Sequence, residues 1–243
     1  MESVLILGAK SDIARAVAHC FARAGYDIIL AARSSAELED DARDLRIRYS
    51  IKVEVTEFDA LDYNSHPAFY VRLDPKPAGV VCAVGYLGDQ KLAEQDFVEA
   101  KKLIDTNFAG CVSILNLIAN DFEMKKKGFI IGISSVSGER GRQSNYMYGS
   151  AKAAFTTYLS GLRNRLQKAG VHVLTVKPGF VATRMTEGMD LPDLLTSRPE
   201  EVADDVFRAF KAGKDVLYTK WFWKWIMLII RIIPERIFKK LKL

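Results

Sequence analysis

The run VLILGAKSDIARAVAHCFARAG, residues 4–25, changes its hydrophobic period once. Residues 4–7 are continuously apolar, as in a strand buried on both faces. From Ile13 the apolar residues recur at helical spacing and stop at Gly25, where a helix C-terminus favours glycine. The joint between them is GAKSDIA (8–14), with Gly8 supplying a tight turn. A strand that enters a helix this way points backbone amides at the helix N-terminus, the place where a phosphate is held. The second and third glycine positions of the usual dinucleotide fingerprint are Asp12 and Ala14 here. Asp12 can instead be read as a simple helix cap.

The same alternation continues along the chain. DIILA (27–31), KVEV (52–55), GVVCAV (79–84), FIIGIS (129–134) and VHVLTV (171–176) read as further strands. Helical patterns lie at 36–49, across 94–126 and at 148–170, the last ending at Gly170. Apolar strands joined by helices predict an α/β fold with a doubly wound parallel sheet, with ligands at the carboxyl ends of the strands. The expected organisation is one domain over residues 1–219 and an amphipathic tail over 220–243.

A chain of 243 residues with 49% hydrophobic residues can bury a sizeable core, which excludes a disordered protein. The net charge of +5 is uneven. The tail holds seven Lys/Arg and one Glu, a net of +6 that leaves −1 on the rest. That charge sits beside tryptophan and isoleucine, which suits a membrane surface rather than nucleic acid. Cys20, Cys82 and Cys111 lie in apolar stretches without CxxC spacing, and read as reduced core residues of a cytoplasmic protein. His19, His66 and His172 are isolated, so no metal site is expected. The N-terminus enters a strand at once, without a signal-peptide pattern.

Two strand ends carry chemistry. AARS (31–34) ends the second strand with Arg33 where an acid would bind the ribose hydroxyls of NAD. A guanidinium there can pair with a 2′-phosphate, favouring NADPH with NADH as second candidate. The alternative is a solvated surface arginine. FIIGISS ends at Ser134 and Ser135, thirteen residues before Tyr148, and Lys152 follows Tyr148 at i+4 on one helix face. A phenol titrating near ~10 is a poor acid at neutral pH, and an adjacent ammonium lowers that value. The pair makes a proton relay, and a strand-end hydroxyl can hold a carbonyl oxygen. Tyr146 has Ser150 at i+4 and lacks such a partner.

GAKSDIA, FDALD (58–62), DTNFAG (105–110), ISSVSG (133–138), YGSAK (148–152) and KPGFVATR (177–184) stand in the order and spacing of the short-chain dehydrogenase/reductase family, which residues 1–219 resemble. The resemblance implies a Rossmann-type fold and an NAD(P)H-dependent oxidoreductase. It makes Tyr148 the proton donor, Lys152 its partner and the holder of the nicotinamide ribose, Ser135 the group steadying the substrate oxygen, and Asn107 the residue positioning a water beside Lys152. It assigns Asp59 to the adenine amino group and Gly8, Ser11, Asp12, Ile13, Ala83 and Gly85 to the cofactor's path. Pro178, Gly179, Val181 and Thr183 would shape the nicotinamide pocket. The family's Asn-Asn-Ala-Gly is Cys82-Ala83-Val84-Gly85 here, and its glycine turn carries Asp12.

AVGYLGDQ (83–90), SSVSGERGRQSNYMYGSAKAAF (134–155) and IPERIFKKLKL (233–243) narrow the resemblance to the decaprenylphosphoryl-2-keto-ribose reductase subfamily. Both departures are expected there. The narrower resemblance implies reduction of a 2-keto sugar on a polyprenyl phosphate, after a separate flavin-dependent oxidase, completing a ribose-to-arabinose epimerisation. Arg140 and Arg142, between Ser135 and Tyr148, are candidates to hold the substrate phosphate, against the alternative of a solvated loop.

KWFWKWIMLIIRIIPERIFKKLKL (220–243) set on a helix places Lys220, Lys224, Arg231, Glu235, Lys239 and Lys242 on one stripe of about 100°. Its unbroken apolar run, 225–230, is too short to span a bilayer. Pro234 should divide it into two segments. Trp221, Trp223 and Trp225 suit the headgroup boundary, and Arg231, Lys239 and Lys240 suit anionic lipid. The expectation is a peripheral protein on the inner face of the cell membrane, where it meets a lipid-linked substrate. The alternative is a helix that packs on a partner subunit, since a homo-oligomer is expected from the family. Two other functions stay open. One is reduction of another ketolipid, 3-oxoacyl or sphingoid. The other is a non-catalytic nucleotide sensor or scaffold, against which the intact Ser135, Tyr148, Lys152 and Asn107 set argues.

Overall fold

The computed structural model describes residues 2–241. Seven strands form one parallel sheet: β1 (Ser3–Leu7), β2 (Asp27–Ala32), β3 (Val53–Glu57), β4 (Gly79–Cys82), β5 (Phe129–Ile133), β6 (His172–Pro178) and, at the far edge, β9 (Val216–Thr219). Their order is β3-β2-β1-β4-β5-β6-β9. The chain winds outward from β1 in one direction, then returns to β4 and winds the other way. The crevice between β1 and β4 is the topological switch point. All six strands read from sequence are present. The edge strand β9 and the two-stranded pair β7 (Phe180–Val181) and β8 (Thr196–Ser197) are additions that only the structure reveals.

Helices cover both faces. α1 (Asp12–Arg23), α2 (Glu39–Tyr49) and α8 (Pro199–Lys211) bury Val17, Phe21, Leu45, Val202 and Val206 against one side. α3 (His66–Arg72), α6 (Gly110–Lys125) and α7 (Tyr146–Leu166) bury Phe69, Ile114, Leu115, Phe155 and Leu159 against the other. The stretch 94–126 is not one regular helix. It comprises α4 (Gln90–Gln95), α5 (Phe97–Ile104), a π-helical turn at Asp105–Ala109, and α6. Phe97–Lys125 is long and apolar enough to cross a membrane by length and composition. In this fold its Cys111, Ile114, Leu115 and Ile118 are fully buried against the sheet.

The tail forms α9 (Trp223–Ile232) and α10 (Glu235–Phe238), broken at Pro234. It docks on the body instead of standing off. Trp223 and Met227, one turn apart, are buried with Val136, and Phe180, Leu195 and Tyr218 pack around them. Trp223 is 3% exposed, so it is not a headgroup-boundary residue; Trp221 and Trp225 are 74% and 53% exposed. Arg231 is exposed, and its guanidinium also pairs with the Glu139 carboxylate at 3.3 Å. Lys239 and Lys240 are exposed, and Lys242 lies outside the described residues. Cys20, Cys82 and Cys111 are buried and free; burial and Asp204 push the Cys20 thiol up to about 11.

Candidate active site

One cleft of about 1150 Å³ runs along the carboxyl ends of the strands, from Arg33 and Asp59, past Gly8 and Ile13, to Ser135, Tyr148 and Lys152. Gly8 makes it possible. Its φ is +77°, and a Cβ there would stand 2.8 Å from the Val84 nitrogen and 2.9 Å from the Ala83 carbonyl. The β1 turn therefore lies directly on the end of β4. Ser11 caps α1 without a side-chain hydrogen bond. The orphan N–H groups of the first turn of α1 remain for an anion at the cleft floor.

Asp12 neither caps the helix nor faces the cleft as a lone acid. Its carboxylate accepts from the Arg184 backbone N–H at 2.8 Å and from Arg184 Nε at 3.0 Å. Arg184 also donates to the Lys10 carbonyl. The acid that breaks the glycine pattern thus ties the first turn to the segment after β7, and Arg184 balances its charge.

At the adenosine end Arg33 is exposed on the cleft wall and makes no ion pair among the described residues. Lys10, which the sequence reading missed, lines the same wall, with Nζ 2.8 Å from Glu37. A lysine two residues after the turn glycine was the available signal. Asp59 accepts from the Leu61 N–H at 2.9 Å, and its carbonyl meets buried His66 Nε2 at 2.9 Å.

At the other end, Ser134 Oγ donates to the Lys152 carbonyl at 3.0 Å and meets Thr156 Oγ1 at 2.7 Å, which fixes α7 against the end of β5. Ser135 Oγ accepts from the Ser137 N–H at 3.1 Å, leaving its own proton to donate into the cleft. Lys152 is 3% exposed. Its Nζ donates to the Ile133 carbonyl at 3.1 Å and lies 5.7 Å from the Tyr148 ring centre. Tyr148 lines the cleft, whereas Tyr146 is exposed outside it.

Asn107 is fully buried in the π-helical turn. Its Nδ2 donates to the Tyr86 carbonyl at 2.7 Å and its Oδ1 accepts from the Tyr86 N–H at 3.1 Å. This side chain holds the loop after β4, beside Gly85, and does not line the cleft. The same loop is also fastened to α5. Tyr86 Oη donates to Glu99 at 2.8 Å, and Glu99, 7% exposed, also accepts from the Asp89 N–H at 3.2 Å. Tyr86 and Glu99 were missed in the sequence; a glutamate on the buried face of α5 was the signal.

Ala83, Gly85, Pro178, Gly179, Val181 and Thr183 line the cleft as expected. Arg140 and Arg142 do not. Arg140 donates to the carbonyls of Ile230 and Ile233, pairs with Glu235 at 2.9 Å and lies 3.6 Å over the Phe238 ring. It clamps the break at Pro234, so it is not available to a substrate phosphate. Arg142 Nη2 meets Met227 Sδ at 3.3 Å, and burial lowers its pKa.

The arrangement has an anion-receiving floor, a basic adenosine end and a hydroxyl–phenol–ammonium set at the far end. This fits a dinucleotide, with Gly8 leaving room for its backbone approach and Arg33 for a 2′-phosphate. The short chain dehydrogenase model matches residues 2–192. An uncharacterised oxidoreductase of Mycobacterium tuberculosis is 38% identical over 241 residues, covering 98% of this chain and 96% of its own. One from Streptomyces coelicolor is 31% identical over 246 residues, with 99% and 96% covered. A short-chain dehydrogenase from Sphingobium yanoikuyae, solved in complex with NADPH, superposes with a TM-score of 0.85 at 26% identity, covering 94% of this chain and 92% of its own. The chain is an oxidoreductase belonging to the short-chain dehydrogenase family.

Proposed function

We propose that this protein is an NADPH-dependent ketoreductase that works at a membrane surface on a polyprenyl-phosphate-linked 2-keto sugar. The observation that carries the reductase chemistry is one continuous cleft with Arg33 at one end and Ser135, Tyr148 and Lys152 at the other. Reduced nicotinamide, when bound, supplies the hydride. Tyr148 donates the proton to the carbonyl oxygen, so that the ketone becomes an alcohol. Ser135 donates a hydrogen bond to the same oxygen, and the buried Lys152 ammonium holds the phenol and ribose in place. The NADPH-bound relative and a 27%-identical NADP-dependent 3-hydroxy acid dehydrogenase of Schizosaccharomyces pombe support NADPH over NADH.

The exposed Trp221, Trp225, Lys239 and Lys240 support contact with an anionic surface at the cytoplasmic face. A keto sugar on a lipid carrier is made there by a separate flavin-dependent oxidase, and the reductase acts as a homo-oligomer without nucleic acid. The test is to mix the protein with NADPH or NADH and membranes whose polyprenyl-phosphoryl pentose has been oxidised. NADPH loss with formation of the epimer is the expected result. No consumption, from protein that still reduces simple ketones, refutes the sugar and leaves another ketolipid as substrate.

A further inference from the structure

The tail meets the body at the back of the hydride-transfer end of the cleft. A Cβ on Gly179 would overlap the Trp223 indole, so only glycine lets this turn lie flat against the ring. Trp223 also packs edge-on to Phe180, with ring centres 5.4 Å apart, and Nε1 donates to the Leu195 carbonyl at 3.4 Å. Gly179 and Phe180 line the cleft; Trp223 stands behind them and does not.

A second fastening lies four residues beyond Ser135. Glu139, its side chain 5% exposed, receives Lys177 from the end of β6, Tyr218 Oη from β9 at 2.9 Å and Arg231 from the tail at 3.3 Å. Lys177 immediately precedes Pro178. Ser135, Ser137 and residues 178–180 line this end of the cleft, and the two segments they belong to are therefore both gripped by α9.

We propose that α9 is the back wall of the catalytic centre and that Trp223 is a positioning residue, holding the turn at Gly179 so that it presents the nicotinamide ring to the carbonyl. This rests on the reductase chemistry of the family and is independent of any lipid substrate. The adenosine end, at Arg33 and Asp59, lies at the other end of the cleft and should keep its affinity.

The test uses Trp223→Ala, Trp223→Phe and Glu139→Gln in the full chain, with a water-soluble ketone and NADPH or NADPH deuterated at the transferred position. A misplaced ring makes hydride transfer slower, by roughly 10- to 100-fold for a shift near 1 Å. Trp223→Ala should lower kcat by that amount, raise the deuterium isotope effect on kcat and leave the NADPH Kd nearly unchanged. In the cofactor-free protein, amide exchange should accelerate over 178–182 and 133–140 ahead of the rest. Trp223→Phe, which keeps a ring behind Gly179, should recover most of both signals. If Trp223→Ala does not fold, Trp223→Phe and Glu139→Gln must show the same isotope-effect rise in milder form. A fall in kcat that only tracks the folded fraction, with isotope effect and local exchange at parent values, overturns the proposal.

Discussion

Gly8 and Gly25 both sit at positive φ, +77° and +87°, yet their surroundings differ completely. A Cβ at Gly25 meets nothing within 4 Å, whereas at Gly8 it meets main-chain atoms of Ala83 and Val84 at 2.8–2.9 Å. Alanine at either site carries the left-handed strain of about 1–2 kcal/mol. Only Gly8→Ala adds overpacking, and the neighbour is backbone that cannot rotate away, so a further penalty of about 1–3 kcal/mol applies. Urea unfolding of the two variants, with equal slopes, should therefore separate them by that second amount. Gly8→Ala should also weaken NADPH, because relief requires β1 and β4 to part at the cleft floor. Equal stabilities, or unaltered NADPH affinity in Gly8→Ala, would refute the claim that the close approach builds the site.

Tyr148→Phe should lower ketone reduction by about 10²- to 10⁴-fold, the usual worth of a general acid, while NADPH titration stays at the parent value; retained turnover would remove Tyr148 from the reaction. Arg33→Ala should lose roughly 10- to 100-fold of NADPH affinity, a charge-assisted bond's worth, and leave NADH unchanged; parallel losses would place Arg33 outside the 2′-phosphate site. Burial raises the Glu139 pKa, but hydrogen bonding and charge from Lys177, with Tyr218 and Arg231, outweigh it and hold the carboxyl below its ordinary 4.5. A depressed carboxylate contributes stability above its unfolded value and loses it as pH falls through the folded one. Stability from this cluster is thus full at neutral pH and declines below about pH 4.5, and Glu139→Gln should flatten that acid limb in thermal melts. An identical limb in both proteins would deny the cluster its role.

Buried strands were legible because their period is local: 4–7, 27–31 and 129–134 advertise two covered faces within a few residues. The edge strand Val216–Thr219 gave no such signal, since it is only partly covered: Val216 is 41% exposed and Leu217 and Tyr218 are half-buried. The Ser135, Tyr148 and Lys152 spacing was legible because one strand end and one helix carry all three. Arg140 was read as a substrate group because its partners lie 90 to 95 residues downstream. No spacing rule reaches that far. The helical projection of the tail found an apolar face, but it could not say that Trp223 and Met227 would spend that face on the protein's own core.

That division changes how a membrane test must be done. Removing 220–243 would strip Val136, Phe180 and Leu195 of their cover and free Glu139 from Arg231. A truncated protein would then change its partitioning for reasons unrelated to lipid. The outer face is what should be altered. Lys224, Arg236, Lys239 and Lys240 are exposed, and at about 1 kcal/mol each near an anionic surface they should give, on the proposed reading, reversible and salt-sensitive attachment. Trp221→Ala with Trp225→Ala removes the exposed indoles and leaves Trp223 in place. This double variant should sediment less with phosphatidylglycerol vesicles while its reduction of a soluble ketone stays at the parent rate. Binding to anionic vesicles that neither the double variant nor added salt reduces would show that the tail's outer face is not what meets the membrane.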